Sequence, residues 1–570
     1  MVTKELASRG LLTLAAVAIG FAAADTYVVV LALPDMMTAA GLTVDDLQRA
    51  APIISGFLLG YVAVLPLIGR VSDLRGRVPV LMGCLIIFAI GSVVTAAGYD
   101  LTTIVLGRLI QGIGGGGLIP PTLALIADTW PAERRGLPLG VVGAVQELGS
   151  VVGPLWGAAI LAFGTWHDIF WLNAAVGLVI AAALLRHRAP DRERPPFDLI
   201  GLLLAGLAGA CLLLVMLEPD RLTTGVTSGL AFLPVAGESR WLTPVALAGY
   251  ALLLAFVLRQ ATAASPLLDW RGWGEIARET DLWGAAALTV ALGAVIVTFA
   301  SAEPETAALS EDAIVLLPLA AVALALFVWR GRRAANPLIP RGSLASRPAW
   351  GSITVSFFVG AALIAALVDI PFFARLTIAP DDQLEAALVL VRFLVALPVG
   401  AVLGGWLLRR WSAAPLTAGA LALSGACFLV MARWDASSLE SFTSTVVLAA
   451  CGLGFGLAIA PVNAALLEHT ADDVHGLASA LLVVARMIGM LIGISALTTV
   501  GLRAFHAAVS DLPPIEQLCG DTSSCKAYTS AMREAGIAQL QAVFAGAAIA
   551  AFIGAALALL LLRRRATFSS

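Results

Sequence analysis

Four ionisable side chains, Asp25, Arg108, Glu147 and Arg486, lie inside long runs of apolar residues. Charges in such surroundings are costly and, where they persist, face one another or a water-filled path. Their depths follow from a rise of about 1.5 Å per residue across a core of roughly 30 Å. Asp25 comes about fourteen residues, roughly 21 Å, after its run begins. Arg108 comes about seven residues into a run entered from the opposite side, which puts it near the same level. Glu147 and Arg486 each come roughly ten to twelve residues from the arginine-rich side, nearer the midplane. Carboxylates so placed suit reversible proton uptake, and arginines so placed suit partners that make and break pairs with them. A fixed structural salt bridge is the plainer use of the same residues. Asp369 and Arg392 are lesser candidates, each readable as half of a structural pair in the last third of the chain.

Enzymatic chemistry within the apolar runs would need a nucleophile beside its base, paired catalytic carboxylates or a metal cluster. The sequence offers none of these, and its five histidines are scattered. No catalytic residue, metal site or cofactor is expected. Of six cysteines, Cys84, Cys211, Cys427 and Cys451 sit in apolar runs and read as small buried hydrophobes. Cys519 and Cys525 share the loop 506–536, expected on an oxidising face, so a disulfide between them is expected.

The elements that hold these residues are legible from bulk properties. Hydrophobic residues make up 59% of the 570 and charged residues 13%. A soluble domain of this size needs more polar surface than that. Runs such as 11–34, 349–374 and 537–562 are near-continuous, and about 20 apolar residues cross a bilayer. The short alternating segments of a closed barrel are absent. Six runs come first, near 11–34, 48–69, 79–97, 101–128, 137–164 and 166–186. Four follow near 198–217, 243–260, 281–300 and 313–331. The last six lie near 349–374, 383–406, 412–432, 443–467, 474–505 and 537–562. The expectation is an all-α polytopic membrane protein of sixteen transmembrane helices. It divides into a six-helix bundle over 1–187, a linker region of two helical hairpins over 188–348 and a second six-helix bundle over 349–570.

The net charge of −3 says little about partners, because the charges are segregated by side. Arg70, Arg75 and Arg77, Arg134 and Arg135, Arg186 to Arg194, Arg271 and Arg278, Arg330 to Arg347, Arg409 and Arg410, and Arg563 to Arg565 all fall on one side of the alternating runs. By the positive-inside rule that side is cytoplasmic and holds both termini. Residues 1–25 imitate a signal peptide, but the apolar run resumes at once and reaches Pro34, so a retained first helix is expected. Within the linker region, Ala263 to Leu268 (AASPLL) answers Ala334 to Ile339 (AANPLI), which suggests a repeated hairpin.

One loop stands out, Gly69-Arg70-Val71-Ser72-Asp73-Leu74-Arg75-Gly76-Arg77-Val78-Pro79-Val80-Leu81. Gly69 and Gly76 permit a tight turn and close helix contact, Asp73 supplies an anionic end, and Arg77 can pair across the loop. Basic residues on an inner face explain the arginines but not Asp73 between two glycines. Asp73 is expected to meet the start of the helix near 474–505, whose first N–H groups carry a partial positive charge. Such a contact closes one side of the molecule.

The loop resembles the G-x-x-x-D-x-x-G-R-x-x-x-L signature of the major facilitator superfamily at every fixed position. Arg108, Gln111, Gly112 and Gly114 to Gly117 resemble that family's fourth-helix motif. Gly140, Gly149, Gly153, Pro154 and Gly157 resemble its antiporter motif, with Ala158 in place of the final glycine. Small residues at these intervals let two helices approach closely. Asp25 to Pro34 (DTYVVVLALP) resembles the multidrug proton-antiporter branch with extra central helices, with Tyr27 and Val30 where that branch has Thr and Asn. Asp25 to Val30, Gln146 to Gly153 (QELGSVVG) and His475 to Ile494 are more similar to the mycobacterial triacylglyceride exporters that work with a periplasmic lipoprotein. Those have two central helices rather than four.

The resemblance implies a monomeric secondary transporter of the bacterial inner membrane, working by alternating access and driven by protons. Asp25 and Glu147 would carry the protons, with Arg108 and Arg486 pairing and unpairing as two bundles rock. A lipid or lipid-like substrate follows from the exporters; a multidrug/proton antiporter is the alternative. Membrane lipids and a periplasmic lipoprotein are the implied partners, and no nucleic acid is. A membrane sensor would carry an attached soluble domain, for which no loop here is long enough.

Overall fold

The computed structural model describes residues 2–42, 47–187, 198–263, 266–267, 272, 274, 279–300, 312–378, 383–513, 519 and 525–563. The described residues form helices and turns, with no strand among them. The first part runs α1 Val2–Ala39, α2 Leu47–Ala63, α3 Leu65–Arg75, α4 Arg77–Ala96, α5 Leu101–Gly116, α6 Ile119–Thr129, α7 Gly136–Phe163 and α8 Trp166–Leu184. The middle contributes α9 Leu199–Leu217, α10 Pro244–Thr262, α11 Leu282–Ala300 and α12 Ala313–Arg333. The last part runs α13 Arg347–Thr377, α14 Gln383–Leu407, α15 Ala413–Met431, α16 Phe442–Glu468, α17 His475–Ser510 and α18 Lys526–Leu561.

Their starts are written locally. The side chains of Asp100, Thr243 and Ser346 accept the backbone N–H groups of Thr103, Ala246 and Ala349, and Thr165 with Asp168 forms a reciprocal capping box. Such caps satisfy donors that a helix start leaves orphaned. Proline in the first helical turn serves α3, α6, α10 and α13, where its missing N–H costs nothing.

Fourteen described helical stretches are long and apolar enough to cross a membrane, and α2 with α3, bent by 41°, makes a fifteenth. The expected count of sixteen is therefore not reached among the described residues. The remaining run, 11–34, falls in α1, whose described apolar stretch Gly10–Thr26 is shorter than a span.

In the first part α1 packs on α7, α5 on α2 and α4, and α8 on α4. In the last part α13 packs on α17 and α18, α14 on α16, and α15 on α16 and α18. Phe373, Phe393, Phe428, Phe455 and Phe544 fill the core of that last part, and all are essentially inaccessible. A second core combines α1, α2 and α4 with Ala460, Leu467, Ala480, Val483 and Val484 of α16 and α17. The two parts are thus joined at the face that bears the signature loop. There α3 and α6 pack on α17, and the first turns of α7 pack on the last turns of α14. Lipid offers no hydrophobic drive between helices, so close approach at small residues must hold them. A Cβ added to Gly136 would lie 2.5 Å from the Gly405 carbonyl.

The two middle hairpins repeat one construction. Asp198 accepts the Gly201 N–H at 3.0 Å at the start of α9 and pairs with Arg259 near the end of α10 at 3.2 Å. Asp281 accepts the Gly284 N–H at 3.0 Å at the start of α11 and pairs with Arg330 near the end of α12. The Gly201 N–H, helped by Arg259 and Gln260 against some desolvation, holds the Asp198 carboxyl below its usual range. Their surroundings differ. The α9–α10 hairpin is tied to the first part through Trp241, whose Nε1 donates to the Tyr99 hydroxyl at 2.9 Å. In the other hairpin α11 packs on both α2 and α17, bridging the two parts, with the Thr289 hydroxyl donating to the Ala63 carbonyl at 3.1 Å. Beyond α17, Cys519 and Cys525 are joined in a disulfide.

Candidate functional site

Asp25 and Arg108 meet. Arg108 Nη1 donates to Asp25 Oδ2 at 2.7 Å and to Gln111 Oε1 at 2.6 Å, and its Nε donates to the Ile53 carbonyl at 3.4 Å. Asn173 Nδ2 donates to the other oxygen of Asp25. Gln111 Nε2 continues the chain to Ser92 Oγ at 3.0 Å. The guanidinium carbon stands 4.3 Å from the Phe57 ring centre, a cation–π contact. Both charged side chains are at most 1% exposed. A buried pair persists only when its remaining donors and acceptors are satisfied, and here they are.

The helices explain the placement. The antiporter-motif residues lie on α7, where Gly149, Gly153 and Gly157 face Gly20, Ala24 and Val28 of α1. A Cβ at Gly153 would collide with the Ala24 carbonyl, so the glycine lets α7 lie against α1 beside Asp25. Pro154 falls inside the same helix.

Glu147 and Arg486 also meet, but differently. Arg486 Nη1 lies 3.8 Å from Glu147 Oε1, within ion-pair reach and beyond hydrogen-bond distance. The side chains are 12% and 15% exposed. Glu147 is on α7 and Arg486 on α17, so this pair joins the two parts of the chain. Arg486 is held by its backbone, because Gly360 of α13 fits directly against its carbonyl. A small cavity of about 30 Å³ adjoins Arg486, with Gln146, Asn463 and Ser356 among its lining.

The two pairs differ in placement: Asp25 and Arg108 sit on α1 and α5 of the first part, whereas Glu147 and Arg486 sit on α7 and α17, one in each part. Asp369 and Arg392 are not brought together as an ion pair; Arg392 donates to the Thr445 hydroxyl at 3.1 Å.

The signature segment, expected as a loop, is instead the end of α3, Gly76 and the first turn of α4, and it closes on α17. Asp73 Oδ1 accepts the Gly476 N–H at 2.8 Å, and Oδ2 accepts the Leu477 N–H at 3.0 Å. Arg77 pairs with Asp73 and, through Nε at 2.8 Å, with Asp128 of α6. Gly76 has φ +91°, a conformation that favours glycine. A Cβ at Gly69 would lie 2.6 Å from the Gly476 carbonyl, so only glycine admits the approach.

Three participants escaped sequence reasoning. Asn173 was one amide within an apolar run, and that isolation was its only signal. Asp128 ends an apolar run and reads as ordinary inner-face charge. His475 is buried beside it, donating from Nε2 to the Leu467 carbonyl at 3.1 Å, while its Nδ1 lacks a hydrogen-bond partner 3.9 Å from Asp128.

The profile of the Major Facilitator Superfamily matches residues 15–310. The chain is 34% identical over 558 residues to the triacylglyceride transporter of Mycolicibacterium smegmatis, covering 95% of this chain and 85% of that one. It is 34% identical over 581 residues to the triacylglyceride transporter of Mycolicibacterium hassiacum, covering 98% and 93%. Against that of Mycobacterium tuberculosis it is 32% identical over 563 residues, covering 95% and 92%. Among solved structures, the proton:xylose symporter XylE has a similar fold at TM-score 0.55 and 12% identity, covering 98% of this chain and 97% of that one. The human organic anion transporter MFSD10 is similar at TM-score 0.52 and 15% identity, covering 97% and 99%. With the signature loop closed on α17 and a profile match over more than half its length, the chain belongs to the Major Facilitator Superfamily.

Proposed function

We propose that this chain exports triacylglyceride-type neutral lipid from the bacterial inner membrane by alternating access, coupled to proton movement. The observation that carries the substrate is identity of about a third, over nearly the whole chain, to proteins named triacylglyceride transporters. The ion pair between α7 and α17 supports the coupling, since a carboxylate facing an arginine across two moving bodies can exchange that partner for a proton. The arginine-rich face is cytoplasmic in this reading, with both termini inside. Residues 1–187 and 349–570 are the two rocking bundles, and 188–348 the linker. A periplasmic lipoprotein that receives the lipid, and action as a monomer, belong to the same reading.

Lipid mass spectrometry of cells lacking the protein tests it. Triacylglyceride should accumulate in the inner membrane and return to normal when the wild-type chain is restored. Unchanged lipids together with raised drug sensitivity would favour the multidrug antiporter instead.

A further inference from the structure

At the arginine-rich face, two adjoining cavities of about 730 and 910 Å³ open where α13, α15, α16 and α18 begin or end. They share Glu468, His469, Leu559 and Arg563 and form one groove. Each is about as large as a small-ligand site, roughly 300–1,000 Å³. Four arginines line the groove: Arg347 at the start of α13, Arg409 and Arg410 between α14 and α15, and Arg563 at the end of α18. The side chains of Arg347, Arg409 and Arg563 make no hydrogen bond or ion pair with any described residue. Arg410 rests near the Trp406 ring at 5.6 Å. Glu133 and Glu468 line the same groove, so four arginines against two glutamates leave two positive charges.

The groove lies at the ends of membrane-crossing helices, the level of lipid headgroups. Trp411, Leu559 and Leu560 expose apolar surface beside it, suited to acyl chains rather than to a free ion. Basic pockets between helices on the cytoplasmic side recognise phosphate-bearing headgroups, and arginine matches phosphate with its planar fork.

We propose that this groove binds the phosphodiester headgroup of an anionic membrane lipid. Ala132, Glu133 and Gly136 reach it from the first part, and the remaining lining of that cavity comes from the last. The bound lipid therefore spans both parts while this face is closed. The site is separate from the Glu147–Arg486 pair and does not depend on the identity of the transported substrate.

Thermal unfolding of the full-length detergent-solubilised protein tests this, titrated with short-chain phosphatidylglycerol, short-chain phosphatidylcholine or inorganic phosphate. Phosphatidylglycerol should raise Tm, and the other two should not at equal concentration. The triple variant Arg409→Gln, Arg410→Gln, Arg563→Gln should bind roughly a hundredfold more weakly, about fivefold per arginine. Its lysine counterpart should keep most of the shift. Neutralising Arg332 and Arg333, which lie on the same face outside the groove, should leave the shift intact. A poorly folded triple variant would pass the test to Arg409→Gln, Arg410→Gln, expected to bind roughly 30-fold more weakly. Equal loss in the Arg332, Arg333 variant would reduce the effect to general surface charge and overturn the site. An equal shift with inorganic phosphate would overturn the lipid assignment.

Discussion

Asp25→Asn should reduce lipid transport to background while the protein remains folded and monodisperse. Asparagine keeps the shape of the side chain and accepts one hydrogen bond, but it cannot take up and release a proton. It also leaves Arg108 buried without a counter-charge. Removing one partner of a buried pair costs about 3–5 kcal/mol, so a lower melting temperature should accompany the loss of transport. That penalty could by itself explain inactivity, and a second variant separates the causes. Asp25→Asn combined with Arg108→Gln removes both charges and should recover most of the lost stability. Transport should stay at background if Asp25 carries a proton. Recovery of transport together with stability, measured in vesicles and by thermal unfolding, would leave the network a structural role only.

Asp73→Asn should open the arginine-rich face, the cytoplasmic one in the proposed reading. Asp73 receives two backbone N–H groups from the first turn of α17 and pairs with Arg77. An amide has only one acceptor oxygen, so one donor faces the new NH₂ group and the ion pair with Arg77 is lost. Hydrogen bonds to a charged group contribute about 1.5–3 kcal/mol each. Losing one moves the equilibrium between closed and open states by roughly one to two orders of magnitude. Val462→Cys places a thiol in the small cavity beside Arg486, where Val462 is 3% exposed. A membrane-impermeant maleimide applied from the cytoplasmic side should label it slowly in the parent and much faster after Asp73→Asn. Transport should fall, because return to the outward-facing state becomes unfavourable. Equal labelling rates with normal expression would show that the loop does not hold this face shut.

Much of this arrangement was readable in the chain, because a membrane makes charge conspicuous. Asp25, Arg108, Glu147 and Arg486 stood out by burial alone, and counting residues from the ends of their runs put each in register with its partner. The loop was readable because Asp73 between Gly69 and Gly76 has no use in a merely basic inner loop. The choice of partner was not readable in the same way. Arg108 is satisfied by Asp25, Gln111 and the Ile53 carbonyl together, and Asn173 arrives from α8, far along the chain. Such contacts depend on how four helices pack, which no local pattern encodes. The bridging position of α11 was hidden for the same reason. It opens with the same Asp-Leu-x-Gly start as α9, and its packing on α2 and α17 emerges only in the assembled helices.

The central claim is that a carboxylate joining two moving bodies couples lipid movement to a proton gradient. Vesicles containing the purified protein, a fluorescent triacylglyceride and an imposed pH gradient test it most directly. The wild-type rate should rise with the gradient, whereas Glu147→Gln, folded and equally abundant, should move lipid at a low rate that ignores it. A Glu147→Gln rate that follows the gradient as the wild type does would contradict the account.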